Sequence, residues 1–574
     1  MNTTNPGTAP DPAAYETTAQ TAVQDTARTS RVQRSAADTL FAPIALAIFG
    51  LAVMLRVYHL DYLPLWNDEL FSRYYYDLFG AKFLVTTGLT LEPTPPLYYF
   101  MLEPWMTLFG HSEVALRSLS VVASLVALPL VYAVARELFG RTSIALAAAA
   151  LFAVSPMAVY FSQEARVYMF TLIPAGMMLL GIARYLRQQR NGDLLLYAAG
   201  AVISLYSHAT FTLVVAACNV VVLVSLAFGA LPGATATDRQ ARATQHVRVS
   251  AIVRWLAANV VVGMLWLPLL MAMLSIGRHG TGLSWIPPLS FRDLLVVASG
   301  LVAGPIARMR FPGIEVAALL LAVLAVTLWT TRMPRRAAAV LVAIPLLFVV
   351  LATVASIKQP ILLPRILCWI TLPLSVALAW AVVVPSKLRL AARVATLIAF
   401  GVGLYWQIAL ADGAKAPLRT VFGDTRTELM QADEVVLAPY TSAVLLAYYG
   451  PPLRQLVKWH DPAVTGIENE EMIEKLGIAR RDVQEVANDI RAGKPVVLVS
   501  ASPDARFMPL LMDQVPAPVR RVESTCNVVP LHGVKPPPCI AVYAWNTRSA
   551  TMSGSAGNVG NAGKVGNTGN GPTQ

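Results

Sequence analysis

The sequence predicts an all-α polytopic membrane domain followed by a small C-terminal α/β soluble domain. Three observations predict it. The 574 residues are 56% hydrophobic and only 14% charged, with a mean hydropathy of +0.56, whereas soluble domains carry roughly a quarter charged residues. Apolar runs of about 18 to 22 residues recur between positions 41 and 410, long enough to cross a bilayer core as helix. After Ala411 the charge density returns to ordinary values, and β-rich runs alternate with helical patterns.

Residues 1–38 are rich in Thr, Ala and Pro and have no apolar run, so a disordered cytoplasmic leader is expected rather than a cleavable signal. The membrane domain, 39–410, is expected to hold eleven spans near 41–58, 114–135, 143–161, 168–186, 194–210, 211–229, 252–274, 313–331, 337–355, 366–384 and 392–410. With the N-terminus inside, the clusters Arg28/Arg31/Arg34, Arg136/Arg141, Arg184/Arg187/Arg190, Arg239/Arg242/Arg248/Arg254, Arg332/Arg335/Arg336 and Lys387/Arg389/Arg393 all fall on the cytoplasmic side. That satisfies the positive-inside tendency, and an odd count places the tail outside. The first outer loop, 59–112, has amphipathic pieces at 61–80 and 96–109 that suit the interface. A second outer link, 162–168, is charged; a third, 275–312, contains the short apolar run 291–305, read as interfacial or re-entrant. In the 411–550 domain strands are expected at 434–438, 495–500 and 540–545, with helices at 442–449 and 480–492. The Gly/Asn/Ser/Thr stretch 551–574 reads as a low-complexity tail.

The net charge of +12 lies in short clusters between apolar runs, with no basic stripe interleaved with aromatics, which sets nucleic acid aside. Cys218 and Cys368 lie in apolar runs. Cys526 and Cys539 lie in the tail and suit a disulfide in an oxidising compartment, with two free thiols as the other reading. There is no His/Cys cluster at metal spacing, no P-loop, no dinucleotide fingerprint and no Gly-x-Ser-x-Gly.

Asp68 and Glu69 are adjacent carboxylates just past the first span, and Glu92 precedes Pro93-Thr94-Pro95-Pro96-Leu97-Tyr98-Tyr99. Trp66, Tyr98 and Tyr99 offer flat amphipathic faces suited to a sugar or to the lipid interface. On residue type alone, Asp68-Glu69 reads equally as a solvated turn. Ser162-Gln163-Glu164-Ala165-Arg166-Val167-Tyr168 wedges charges between apolar helices, which is costly unless they are paired or used. Arg166 suits a phosphate, or else pairs with Glu164 to pin the junction. Arg365, in Pro364-Arg365-Ile366-Leu367, is a second phosphate candidate, snorkelling being its alternative. His208 ends a helix, where a hydrogen-bonded cap competes with a ligand role.

Taken in order, Trp-x-Asp-Glu (66–69), Glu-x-x-Pro-Pro-Leu-Tyr-Tyr (92–99), Leu-Phe-Gly-x-Ser-Glu-x-x-x-Arg-x-x-Ser (108–120), Ser-Pro (155–156), Ser-Gln-Glu-Ala-Arg-x-Tyr (162–168) and Pro-Arg (364–365) resemble the membrane glycosyltransferases of the C superfamily. The resemblance is to glycosyltransferase family 39-like enzymes, the bacterial relatives of protein O-mannosyltransferases and lipid A aminoarabinose transferases. It implies a polyprenyl-phosphate-linked sugar as donor, used on the outer face of the bacterial inner membrane. It also implies Asp68 as the catalytic aspartate, Glu92 as a second loop carboxylate, and Arg166, Tyr168 and Arg365 as donor-phosphate contacts; beside these, Glu69 is expected to act with Asp68, and Tyr98, Glu164 and His208 to bind substrate. The chain departs from the pattern at Thr94, where many relatives have His, and at Ile366, where Tyr is usual.

An anomeric phosphate is already a good leaving group, so arginines near lipid must stabilise the departing charge while one carboxylate takes the acceptor proton. The expectation is inverting single displacement with Asp68 as base. The acceptor is a glycan, lipid or protein. Asp68, Glu69 and Glu92 have oxygens suited to Mg²⁺ or Mn²⁺, without a full ligand set in view. A transporter or flippase for a lipid-linked sugar is the alternative, although such proteins usually carry midplane charges on broken helices and inverted repeats.

Overall fold

The computed structural model of the protein describes residues 41–85, 94–228, 238–276, 289–307, 313–409, 415–439, 441–453, 456–459, 473–474, 476–501, 507–524 and 539–547. They form two compact units, the first running to Leu418 and the second drawn mainly from Arg419–His460, Ile478–Glu523 and the residues from Ile540 onward.

The first unit is helical. Its elements are α1 (Phe41–Val57), α2 (Asn67–Leu84), α3 (Leu97–Phe109), α4 (Glu113–Phe139), α5 (Thr142–Ala153), α6 (Pro156–Ser162), α7 (Leu172–Gln188), α8 (Asn191–Ser207), α9 (Phe211–Phe228), α10 (Asp238–Ile276), α11 (Phe291–Ala307), α12 (Gly313–Thr330), α13 (Arg335–Lys358), α14 (Pro364–Val383) and α15 (Arg389–Ala409). Each expected span overlaps a helix, and by length and composition fewer than eleven of these helices qualify as spans. Among the described residues six helices are long and apolar enough to cross a membrane (α4, α9, the 247–274 part of α10, α13, α14 and α15), or seven if the bent pair α5–α6 is one span.

The reasons lie in local chemistry. The expected 143–161 span breaks because Ser155 caps a new helix, its hydroxyl accepting from Ala158 N–H, and Pro156 occupies the first turn, giving a 53° bend. The carbonyls freed at the break are met by Arg56, a fully buried residue of α1 that donates to Ala153 O at 2.9 Å and Phe152 O at 3.3 Å. Its remaining donors go to Ala52 O and Ser124 Oγ. A buried arginine without a carboxylate is tolerated here because its hydrogens are spent on carbonyls. The helices α7 and α8 form a tight hairpin: a Cβ on Gly181 would lie 2.7 Å from Tyr197 N, and one on Gly200 2.6 Å from Pro174 O. Small residues let these backbones approach, as at membrane helix interfaces generally.

The pieces expected at the interface are helices α2 and α3, and the 291–305 run is α11, which kinks at Gly304 (φ 84°).

The second unit holds a six-stranded sheet. Its strands are β1 (Glu434–Ala438), β2 (Leu456–Trp459), β3 (Ile478–Arg481), β4 (Val496–Ser500), β5 (Arg520–Ser524) and β6 (Ile540–Trp545), in the order β3-β2-β1-β4-β6-β5. Strands β3, β2, β1 and β4 run parallel, and β6 is antiparallel to β4. Every residue of β1, β4 and β6 is buried, as strands covered on both faces require. A helix, Val483–Arg491, starts at an Asp482/Glu485 capping box and packs Val486 and Ile490 against Val436, Leu498 and Trp545. Cys539 is disulfide-bonded; Cys218 and Cys368 are free, and the remaining cysteine, Cys526, lies outside the described residues.

Candidate active site

The site is assembled where α2 begins. Leu63, Pro64 and Trp66 lead into the helix, so Asp68 and Glu69 fall in its first turn, where the free N–H groups and the helix dipole favour carboxylates. Consecutive residues on a helix point about 100° apart, and the two carboxylates meet different surroundings.

Glu69 points inward and is fully buried. Its Oε1 accepts from Arg117 Nε and Ala165 N–H, both at 2.9 Å. Its Oε2 accepts from Arg117 Nη2 at 3.0 Å, Lys415 Nζ at 2.7 Å and Trp66 N–H at 3.3 Å. Burial alone raises this carboxyl, but the charges of Arg117 and Lys415 outweigh it and hold the group down at about 2. Arg117 itself closes the loop before α2 by donating to Leu60 O, Leu63 O and Pro64 O. Five donors thus occupy both oxygens of Glu69.

Asp68 faces the opening. Its Oδ2 is 2.7 Å from Arg365 Nη1, with side chains 27% and 20% exposed. Arg365 comes from the 3₁₀ turn Pro364–Ile370 that opens α14. Arg166 donates to Asp68 O and Ser72 Oγ, both at 3.1 Å, so it grips the α2 backbone rather than pairing with Glu164. The Tyr168 ring stands beside both guanidinium groups, 5.9 Å from that of Arg166 and 6.0 Å from that of Arg365. His208, the cap residue of α8, sits 6.1 Å from the Tyr168 ring, and its Nδ1 is 2.9 Å from Thr210 Oγ1. Tyr98 is buried at the start of α3, and burial raises its phenol.

Glu164 is buried at the corner between α6 and α7, with Lys415 Nζ 3.5 Å from its Oε1. Burial raises its carboxyl, and the charge on Glu69 adds to that against the pull of Lys415. Ser120 Oγ donates to Glu164 O at 2.6 Å and Arg166 O at 3.3 Å, fixing this corner against α4. On the same side an open recess is lined by Tyr58, His59, Tyr62, Glu164, Gln407 and Lys415, among others.

The structure thus brings together Asp68, Arg166, Tyr168, Arg365 and His208, and sets Glu69 and Glu164 in the charged layer beneath. Glu92 lies outside the described residues. Of the carboxylates named for Mg²⁺ or Mn²⁺, Glu69 is saturated by N–H donors and Asp68 pairs with Arg365. Among the described residues no group of three or more His, Cys, Asp and Glu is placed to hold a metal. Sequence reasoning missed Arg117, Lys415, Ser72 and Arg56.

The sequence profile of the dolichyl-phosphate-mannose-protein mannosyltransferase family matches residues 93–230. No curated protein matches the chain in sequence. Among solved structures, the chain is similar to ArnT from Cupriavidus metallidurans in the apo state, with a TM-score of 0.52 and 14% identity over 89% of this chain and 98% of that one. The same enzyme bound to undecaprenyl phosphate matches at a TM-score of 0.49, 14% identity and the same coverage. The arabinofuranosyltransferase AftD from Mycobacteria matches at 0.39, with 17% identity over 79% of this chain and 35% of that one.

Proposed function

From a multi-pass chain that carries the fold of the C-superfamily membrane glycosyltransferases, we propose a membrane glycosyltransferase that moves a sugar from a polyprenyl-phosphate donor to an acceptor by inverting single displacement. The observation that carries this reading is the partly exposed Asp68–Arg365 pair, with Arg166 across the Tyr168 ring. A donor phosphate arriving at Arg365 competes with Asp68 for the same guanidinium. Once the phosphate holds Arg365, Asp68 is released to accept the proton of an acceptor hydroxyl as it attacks the anomeric carbon. The bond to the phosphate breaks, and Arg365 and Arg166 take the developing negative charge in a site with little competing water. Glu69 performs no chemistry; it holds the turn that aims Asp68.

The family profile and the undecaprenyl-phosphate complex of ArnT support a polyprenyl-phosphate donor. The bacterial inner membrane, an N-terminus inside and the second unit on the outer face complete the reading. The acceptor stays within the chemistry of hydroxyl- or amine-bearing glycans, lipids and proteins.

The test is transfer of a labelled sugar from its polyprenyl phosphate in proteoliposomes, scored by release of the free polyprenyl phosphate. Asp68→Asn is expected to lower the rate about 10²- to 10⁴-fold, the usual contribution of a general base. Full activity in Asp68→Asn, or movement of the intact donor across the bilayer without release of polyprenyl phosphate, would overturn the proposal.

A further inference from the structure

The layer under Asp68 contains a cation that comes from far along the chain. Lys415 lies beyond the end of α15, and its side chain is only 5% exposed. Its Nζ stands 2.7 Å from Glu69 Oε2 and 3.5 Å from Glu164 Oε1, and 5.9 Å from the centre of the Trp66 ring. Arg117 pairs with Glu69, whereas Lys415 is the only cation that the described ion pairs set against Glu164.

We propose that Lys415 is a positioning residue: its ammonium joins Glu69 on α2 to Glu164 on the 163–168 corner and so sets the spacing between Asp68 and the two arginines. The inference rests on the transferase reading for its consequence but not for its geometry. Glu69 also accepts the N–H of Ala165, the residue between Glu164 and Arg166. The corner therefore meets α2 through the Ala165 N–H, through the two Arg166 hydrogen bonds to Asp68 O and Ser72 Oγ, and through one bridging cation. Without that cation Glu69 keeps Arg117, and Glu164 is left buried with no cation set against it by the described ion pairs. Glu164 must then take a proton or move away, and either response shifts the corner against the α2 turn. Asp68 and Arg166 sit on those two segments, so the shift falls on the reacting groups. Anchoring the second unit's tether would not require a charge at this position; bridging two carboxylates does.

Lys415 also lines the open recess beside Glu164, which gives the test a chemical handle. Truncation to alanine removes the propylammonium arm beyond Cβ and leaves space that a short alkylammonium ion can enter from the recess. The experiment uses full-length protein in proteoliposomes and the sugar-transfer assay. Lys415→Ala is expected to lower kcat about a hundredfold, the order expected when reacting groups are misplaced by a small distance, with the donor KM little changed. Propylammonium should restore much of the lost rate with saturation, and 1-propanol at equal concentration should not. Asp68→Asn should not respond to the amine. A second readout needs no activity: propylammonium should raise the unfolding temperature of Lys415→Ala and leave that of the wild type unmoved. An unchanged rate in Lys415→Ala, or a loss that amine and alcohol repair equally, overturns the proposal. If the wild type transfers no sugar, the functional reading fails instead, and the thermal readout alone then decides whether the ammonium site exists.

Discussion

Replacing Glu69 by glutamine keeps the shape of the side chain and removes its charge. The wild-type carboxylate accepts five hydrogen bonds, from Arg117 twice and from Lys415, Ala165 and Trp66 once each. A glutamine amide has one oxygen and one NH₂ group. If its oxygen keeps the Arg117 Nε and Ala165 N–H bonds, its NH₂ points at Arg117 Nη2 and Lys415 Nζ; the opposite orientation points it at Arg117 Nε and the Ala165 N–H. Donor faces donor either way, and two buried cations lose their common anion. Breaking a buried pair in this fashion costs about 3–5 kcal/mol, or roughly two to three and a half orders of magnitude in the folding equilibrium. The pH dependence supplies an independent sign. The folded-state carboxyl sits at about 2, below the ~4.3 of an unfolded glutamate. Its contribution is therefore fully present above about pH 4.3 and is lost as the pH falls towards 2. Thermal or denaturant unfolding in detergent, followed between pH 7 and pH 3, measures both effects. Glu69→Gln should be destabilised at pH 7, and the difference from wild type should narrow as the solution becomes acidic. Equal stability at pH 7, or a difference constant with pH, would refute the reasoning.

Two further outcomes test the frame around the site. Arg56→Met leaves the carbonyl of Ala153 without its buried donor at the α5–α6 break, while Phe152 O keeps the Ser155 N–H; at about 1–3 kcal/mol per unsatisfied group a loss of that order is expected in the same unfolding assay, and wild-type stability would remove Arg56 as the cap of the break. Gly200→Ala puts a Cβ 2.6 Å from Pro174 O, whereas Gly192→Ala on the same helix meets nothing within 4 Å. The first should cost about 1–3 kcal/mol as an overpacked contact; comparable stability of the two variants would refute the close approach of α7 and α8.

What the sequence made legible follows the range over which each signal acts. Long apolar runs locate helices because burial in lipid is decided residue by residue, and each expected span does overlap a helix. Their exact bounds were less legible because they depend on neighbours: the turn at 189–190 joins α7 and α8 into a hairpin, and Arg56 stabilises a break that apolarity alone would bridge. In the second unit β1, β4 and β6 were readable as continuous apolar strands. The strands β2 and β3 were not, since Lys458, Arg480 and Arg481 interrupt them, and β3 and β5 lie at the sheet edges, where residues alternate with solvent. At the site, Asp68, Arg166, Tyr168 and Arg365 carried local motif signals. Arg117 lay inside a quoted motif but resembled any polar residue at a helix start, and its pairing with Glu69 needed the fold to be seen. Lys415 gave no local signal, because its meaning depends on two carboxylates hundreds of positions earlier.

That separation has a consequence for how the protein is made. The pair Asp68–Arg365 spans 297 positions and the pair Glu69–Lys415 spans 346, so the two carboxylates emerge at the start of α2 long before their partners are synthesised. Contacts of such range form late, after the intervening chain has been ordered. A nascent chain halted before α14 has Asp68 but no arginine from Pro364–Ile370 to meet it, and one halted before residue 415 lacks the ammonium that bridges Glu69 and Glu164. The chemistry is thus withheld from unfinished chains, and the site becomes complete only when nearly all of the first unit has entered the membrane.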